Sequence, residues 1–144
     1  FQIDFEAFAQ LVDENTAAVL INSPNNPSGT AYSEETLQQL ADFLTATSAK
    51  YGHHIFLISD EPYREISFGG RVTPYPAKFY DDTLTCYSFS KSLSVPGERI
   101  GYVAANPRCE DRRRTSVADV RPDLPADRPQ LPVVPHPDGR RALP

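Results

Sequence analysis

Seven polar side chains in this sequence are of types that can hold and transform a small organic ligand. They are Asn26, Asp60, Tyr63, Ser88, Ser90, Lys91 and Arg99. A lysine amine can form an imine with an aldehyde, and a carboxylate can pair with a cationic ring nitrogen. A phenol and an amide can both donate to an oxyanion, whereas serine hydroxyls and an arginine suit a phosphate. The set therefore points to a ligand with an aldehyde, a ring nitrogen, a ring oxyanion and a phosphate.

Apolar runs typical of buried strands must position these side chains. The predicted strands are Thr16 to Ile21, His54 to Ser59, Thr83 to Tyr87 and Ile100 to Ala105. Helices are predicted over residues 4–13 and from an N-cap at Ser33 to about Lys50, with Gly52 able to end the second. This alternation predicts an α/β fold with a mainly parallel sheet and helices on its faces. Because residues 89–98 are short for a parallel crossover, the fourth strand is predicted to run antiparallel.

Polar side chains come directly after each of the first three predicted strands. Asn26 follows the first strand, Asp60 and Tyr63 follow the second, and Lys91 follows the third. The carboxyl ends of parallel strands lie along one edge of a sheet, where ligands bind. We therefore expect these side chains to converge on one crevice, to which Arg99 returns if the fourth strand is antiparallel. Pyridoxal 5′-phosphate has all four of these functional groups: an aldehyde, a ring nitrogen, a ring oxyanion and a phosphate.

Three ordered motifs carry a resemblance to a known family. They are Asn26-Pro27-Ser28-Gly29, Asp60-Glu61-Pro62-Tyr63, and Ser88-Phe89-Ser90-Lys91 followed by Gly97-Glu98-Arg99-Ile100-Gly101-Tyr102. Each motif alone is most simply read as a turn, a solvated loop or a surface lysine. In this order, and each after a strand, they resemble the class I/II aminotransferases, which are fold-type I pyridoxal-phosphate enzymes like aspartate aminotransferase. The resemblance covers residues 1–109 and implies a partial large domain of that fold.

The resemblance implies a role for each candidate residue. Lys91 holds the cofactor aldehyde through an imine and shuttles the proton during catalysis. Asp60 keeps the ring nitrogen protonated, while Tyr63 and Asn26 bond the phenolic oxygen of the ring. Ser88 and Arg99 hold the phosphate, and Ser90 is a further candidate for that shell. The implied reaction is transamination between an amino acid and a 2-oxo acid in a homodimer. No metal site is expected.

The shared motifs leave two alternatives open. One is a non-catalytic truncated fragment or pseudoenzyme, because the family places further parts of the site outside residues 1–109. The other is a lyase, or the aminotransferase-like domain of a regulator, because such relatives share the same motifs. Nothing in residues 1–109 names the amino acid substrate.

Charge and composition argue against a nucleic-acid-binding or membrane-spanning protein, and they distinguish residues 1–109 from residues 110–144. Residues 1–109 carry 13 acidic and 7 basic side chains, which argues against a nucleic-acid surface. No apolar run reaches the roughly 18 residues of a membrane span, and no signal peptide is recognised. The two cysteines, Cys86 and Cys109, lack metal-ligand spacing and fit a reducing, cytoplasmic setting. Residues 110–144 contain 7 arginines and 7 of the 14 prolines, which predicts a disordered or out-of-frame tail.

Overall fold

The computed structural model describes residues 1–107 and 109. The helices are α1 (Phe5–Leu11), α2 (Glu34–Tyr51) and the single turn α3 (Phe89–Ser92). The strands are β1 (Ala18–Asn22), β2 (Phe56–Asp60), β3 (Thr83–Ser88) and β4 (Gly101–Ala105). Short 3₁₀ turns cover Pro76–Lys78 and Pro96–Glu98. The predicted tail lies outside the described residues.

The four strands form one sheet in the order β1-β2-β3-β4. The first three strands are parallel, and β4 pairs with β3 in the antiparallel direction. The predicted α/β class and the antiparallel fourth strand are therefore confirmed. Short connections allow this arrangement, because an antiparallel neighbour needs no crossover.

Both ends of α2 are set by the residues that flank it. The Ser33 side chain accepts a hydrogen bond from the Thr36 amide at 3.2 Å, which satisfies a donor of the first turn. Gly52 ends the helix in the left-handed conformation, with φ of 75°, and its amide bonds to the Ser48 carbonyl. These are the caps predicted from the sequence, so the helix is confirmed to within a residue at each end.

The main core lies between α2 and one face of the sheet. Its buried members are Ile21, Leu37, Leu40, Ala41, Leu44, Ile55, Leu57 and Tyr80, with Phe5 and Phe8 of α1 packed against them. The opposite face is more open, and Leu20 of β1 is 68% exposed there. The prediction of Thr16 to Ile21 as a buried strand is therefore wrong for this face, because an apolar run does not report what covers each face. Among the described residues, no helix is both long enough and apolar enough to cross a membrane.

Candidate functional site

The candidate site begins with a row of residues at the carboxyl ends of the parallel strands. Asn22 of β1 pairs in register with Asp60 of β2, which pairs with Cys86 of β3. Residues in register across a sheet point to the same face, and this row lies on the face opposite α2. Ser88, two residues beyond Cys86, extends the row towards α3. The strand alternation thus places an amide, a carboxylate, a thiol and a hydroxyl side by side.

Asp60 is held by the neighbouring strand. Asn22 Nδ2 donates to the Asp60 backbone oxygen at 2.9 Å and to its Oδ2 at 3.1 Å. Partial burial raises the pKa of Asp60, and the hydrogen bond from Asn22 acts in the opposite direction. Within residues 1–107 and 109, no cationic side chain forms an ion pair with Asp60. Burial also raises the pKa of the Cys86 thiol, with a further contribution from the Asp60 charge.

The loop after β1 reaches across to the loop after β2. Asn26 Nδ2 donates to the Tyr63 Oη at 2.9 Å. The Asn26 amide in turn donates to Asn22 Oδ1 at 2.9 Å, which ties this loop to the end of β1. Because the Tyr63 oxygen accepts from Asn26, its own hydrogen remains available to a ligand. Two segments 37 residues apart in sequence are joined in this way.

Lys91 lies on α3 and faces Tyr63. Ser88 caps this turn, since its Oγ accepts from the Ser90 amide at 3.2 Å. The Lys91 Nζ lies 5.7 Å from the centroid of the Tyr63 ring, within range of a cation–π contact. The lysine is exposed, so its amine can be reached from the open side of the site. The sequence did not predict this helical turn in what was read as a polar loop.

The candidate phosphate ligands are only partly brought together. Ser88 Oγ donates to Ser90 Oγ at 2.8 Å, which leaves the Ser90 hydrogen free to donate outward. Arg99 is exposed, with a left-handed backbone at φ of 52°, and its guanidinium donates to the Pro96 carbonyl at 3.1 Å. The backbone of the same segment returns to α3, where the Phe89 amide bonds to the Ile100 carbonyl at 3.2 Å. The segment therefore reaches the serines, whereas the Arg99 side chain is engaged within its own turn.

Two features were not found from the sequence. Asn22 binds both Asp60 and Asn26. Its position directly after an apolar run was the feature of the sequence from which this role could have been predicted. Glu61 is fully buried on the other face, where it accepts from Ser59 Oγ at 2.6 Å and forms an ion pair with Arg64. The burial of Glu61 follows from alternation, because Asp60 points to the site and its neighbour must point away.

The cation of this ion pair is also fixed by an aromatic ring. The Arg64 guanidinium lies 4.5 Å from the centroid of Tyr75, whose hydroxyl accepts from Thr85 Oγ1 at 3.2 Å. The start of the Tyr63 loop is therefore anchored to β3 as well as to β2.

Comparison with known proteins gives a consistent family. Residues 1–120 match the family model described as aminotransferase class I and II. The chain is 44% identical over 108 residues to a probable aspartate/prephenate aminotransferase of Aquifex aeolicus, covering 72% of this chain and 26% of that protein. It is 38% identical over 126 residues to a cystine lyase of Arabidopsis thaliana, covering 86% of this chain and 28% of that protein.

A solved structure agrees with the sequence matches. The crystal structure of an aminotransferase from Eubacterium rectale superposes with a TM-score of 0.76 at 53% identity, covering 82% of this chain and 30% of that one. The chain thus spans between a quarter and a third of the length of these relatives.

Proposed function

Because this chain belongs to the class I and II aminotransferases, we propose that it carries the central part of a pyridoxal-phosphate site that transfers an amino group between an amino acid and a 2-oxo acid. One observation carries the proposal. Asn26, Tyr63 and Lys91 form a contiguous group, and the Asn22 amide connects Asn26 to Asp60. An amine, a phenol and a carboxylate then line one edge of the sheet.

The Asp60 environment fits the proposed cofactor. Its pKa is raised because partial burial disfavours the carboxylate, and no cation among the described residues compensates for that penalty. A cationic ring nitrogen against this carboxylate would do so. When bound, pyridoxal phosphate supplies an electron sink for a substrate carbon that loses a proton.

Each residue of the group then has a distinct task. The Lys91 amine would hold the cofactor aldehyde and, once the substrate amine has displaced it, would move a proton from the substrate α-carbon to the cofactor. Tyr63 donates its free hydroxyl hydrogen to the ring oxygen, and Asn26 keeps that hydroxyl oriented. Asp60 retains the proton on the ring nitrogen.

The phosphate is assigned to the hydroxyls near α3 and to the arginine of the following turn. Ser90 has a hydrogen free to donate, whereas Ser88, which caps α3, would have to turn its hydroxyl hydrogen from Ser90 Oγ to the phosphate. Arg99 joins them when its guanidinium exchanges the Pro96 carbonyl for a phosphate oxygen, since a charged acceptor forms the stronger bond. These three residues complete the proposed cofactor-binding set.

The rest of the protein's behaviour is proposed on the same basis. We expect a cytoplasmic homodimer in which residues 1–109 form part of the large domain. A lyase is the second candidate, because the chain is 38% identical to a plant cystine lyase over 126 residues. The two activities differ in product: a carbon–sulfur lyase releases a thiol-containing fragment together with ammonia and a 2-oxo acid, whereas an aminotransferase passes the amino group to a 2-oxo acid.

Reductive trapping tests the proposal even if turnover is slow. The chain is mixed with pyridoxal phosphate, treated with borohydride to fix the aldehyde to the lysine it has reached, and mapped by mass spectrometry. We expect label at Lys91 in excess of Lys50 and Lys78, which serve as internal controls. Lys91→Ala should abolish the excess, whereas Lys78→Ala should leave it intact. Equal label on all three lysines of the wild-type chain would refute cofactor binding by this site and favour a non-catalytic fragment.

A further inference from the structure

A buried tyrosine hydroxyl joins the two segments that carry Tyr63 and Lys91. Tyr87 of β3 is only 7% exposed, and its Oη lies 2.6 Å from Glu65 Oε2 and 2.7 Å from Ser92 Oγ. Glu65 comes two residues after Tyr63, and Ser92 directly follows Lys91. The Tyr87 side chain thus bonds to both the Tyr63 segment and the Lys91 segment, although Tyr87 is not one of the candidate site residues.

The direction of the two hydrogen bonds follows from the number of hydrogens. A tyrosine hydroxyl has one hydrogen, and an ionised carboxylate can only accept. Tyr87 therefore donates to Glu65, and its oxygen accepts from Ser92. In agreement, burial and the bond to Glu65 raise the pKa of Tyr87, whereas the bond from Ser92 lowers it. Both bonds are therefore made at the same time by the neutral tyrosine.

The ring of Tyr87 is fixed by its own packing. It stacks on Tyr102 with centroids 5.1 Å apart and meets the edge of Phe89 at 5.4 Å. Phe89 begins α3, the turn that carries Lys91, and Tyr102 lies on the neighbouring strand β4. Aromatic contacts at these distances stabilise one orientation of the ring. The hydroxyl is consequently held towards Glu65 and Ser92.

We propose that the Tyr87 hydroxyl is a positioning group, which sets the distance between Lys91 and Tyr63 by binding Ser92 and Glu65 together. Lys91 and Tyr63 meet only through a cation–π contact of 5.7 Å. Such a contact at an exposed site is too weak by itself to hold two loops in register. The paired hydrogen bonds supply the missing restraint. This inference rests on the proposed function only for the task of the Lys91 amine.

The decisive measurement is made by NMR on the cofactor-free chain. The face of the Tyr63 ring should shift the Lys91 ε-methylene resonance upfield of an unshielded lysine. We expect Tyr87→Phe, which removes one oxygen and keeps the ring, to abolish most of that shift. Tyr102→Phe is the matched control, because it removes a neighbouring hydroxyl from the same aromatic stack, and it should leave the shift unchanged. A wild-type shift in Tyr87→Phe overturns the proposal.

A second pair of variants covers the case in which Tyr87→Phe does not fold. Glu65→Ala and Ser92→Ala each remove one partner from outside the buried ring. Each should reduce the upfield shift of the Lys91 ε-methylene, because each releases from Tyr87 one of the two segments that carry Tyr63 and Lys91. If both retain the full wild-type shift, the hydroxyl does not position the lysine and the proposal is wrong.

Reductive trapping separates this proposal from the proposed function. In Tyr87→Phe the share of pyridoxal phosphate fixed at Lys91 should fall towards that of Lys50 and Lys78, whereas Tyr102→Phe should match wild type. Undiminished trapping at Lys91 in Tyr87→Phe counts against positioning. If the wild-type chain shows no preference for Lys91, the proposed function fails, and the cofactor-free NMR result alone decides the role of Tyr87.

Discussion

Asn22 bonds to Asp60 twice, through the backbone oxygen at 2.9 Å and through Oδ2 at 3.1 Å. The two residues are paired in register at the carboxyl ends of β1 and β2. The same side chain accepts from the Asn26 amide through Oδ1. Asn22 therefore orients Asp60, the candidate partner of the ring nitrogen. It also orients the loop that carries Asn26, which binds Tyr63.

Asn22→Ala should loosen both parts of the site. We expect the free energy of unfolding to fall by about 1–2 kcal/mol, because the hydrogen bonds are lost from a half-buried edge. The pKa of Asp60 should rise further, since the hydrogen bond from Asn22 is the group that lowers it. Carboxyl-carbon NMR titration measures the pKa, and urea unfolding measures the stability.

Asn25→Ala is the matched control for this change. Asn25 stabilises the same loop by accepting from Ser28 Oγ at 2.8 Å. Its own Nδ2 donates to Asn22 Oδ1 at 3.3 Å, which is not the Asn22 atom that binds Asp60. It should reduce stability while leaving the Asp60 titration in place. Identical Asp60 titrations in wild type and Asn22→Ala would contradict the assigned role of Asn22.

Asp60→Asn should change how stability depends on pH. The pKa of Asp60 is raised on folding from its ordinary 3.8. The folded state therefore binds the proton more tightly, and wild-type stability falls as pH rises from the unfolded pKa through the folded one. The variant lacks this loss, so its stability relative to wild type should increase across that window and then level off. Thermal unfolding at a series of pH values measures the difference. A relative stability that decreases with rising pH would contradict the prediction.

Glu61→Ala should be strongly destabilising although the side chain is not in the site. Glu61 is fully buried and pairs with Arg64 and Ser59. Removing one member of a buried ion pair leaves the other uncompensated, at a cost of about 3 kcal/mol. Glu14→Ala removes an exposed carboxylate and should cost less than about 0.5 kcal/mol. Denaturant unfolding compares the two, and equal effects would show that the ion pair does not anchor the Tyr63 loop.

Gly101→Ala should disrupt the pairing of β3 with β4. A Cβ at Gly101 would approach the Tyr87 carbonyl oxygen closer than 3.0 Å, and a backbone atom cannot move aside as a side chain can. We expect a loss of about 1–3 kcal/mol, typical of overpacking. At Gly97 a Cβ meets nothing within 4 Å, and the backbone is not left-handed. Gly97→Ala should therefore stay within about 0.5 kcal/mol of wild type, and thermal unfolding distinguishes the pair.

Most of the fold was predictable because its signals are local. Ser33 and Gly52 cap α2 as their residue types require, and the apolar runs form strands within two residues of the predicted bounds. The coverage of each sheet face was not predictable, as the exposed Leu20 shows. Coverage depends on which distant segment packs on a face, and an apolar run does not indicate which segment that is. The helical turn at Lys91 was not predicted, because four residues make only one turn and cannot show a helical repeat of apolar side chains.

The sequence by itself determined the order of the motifs, the positions of Asn26, Asp60, Tyr63 and Lys91 after three successive strands, and the family. Those depend on residue type and spacing alone. Only the tertiary structure decided that Asn22 holds Asp60, that Arg99 bonds within its own turn, and that Tyr87 links the arms of the site. Asn22 and Asp60 are 38 residues apart, and Glu65 and Tyr87 are 22 apart. Strand register and loop packing bring such pairs within hydrogen-bonding distance, and neither is encoded in any local pattern.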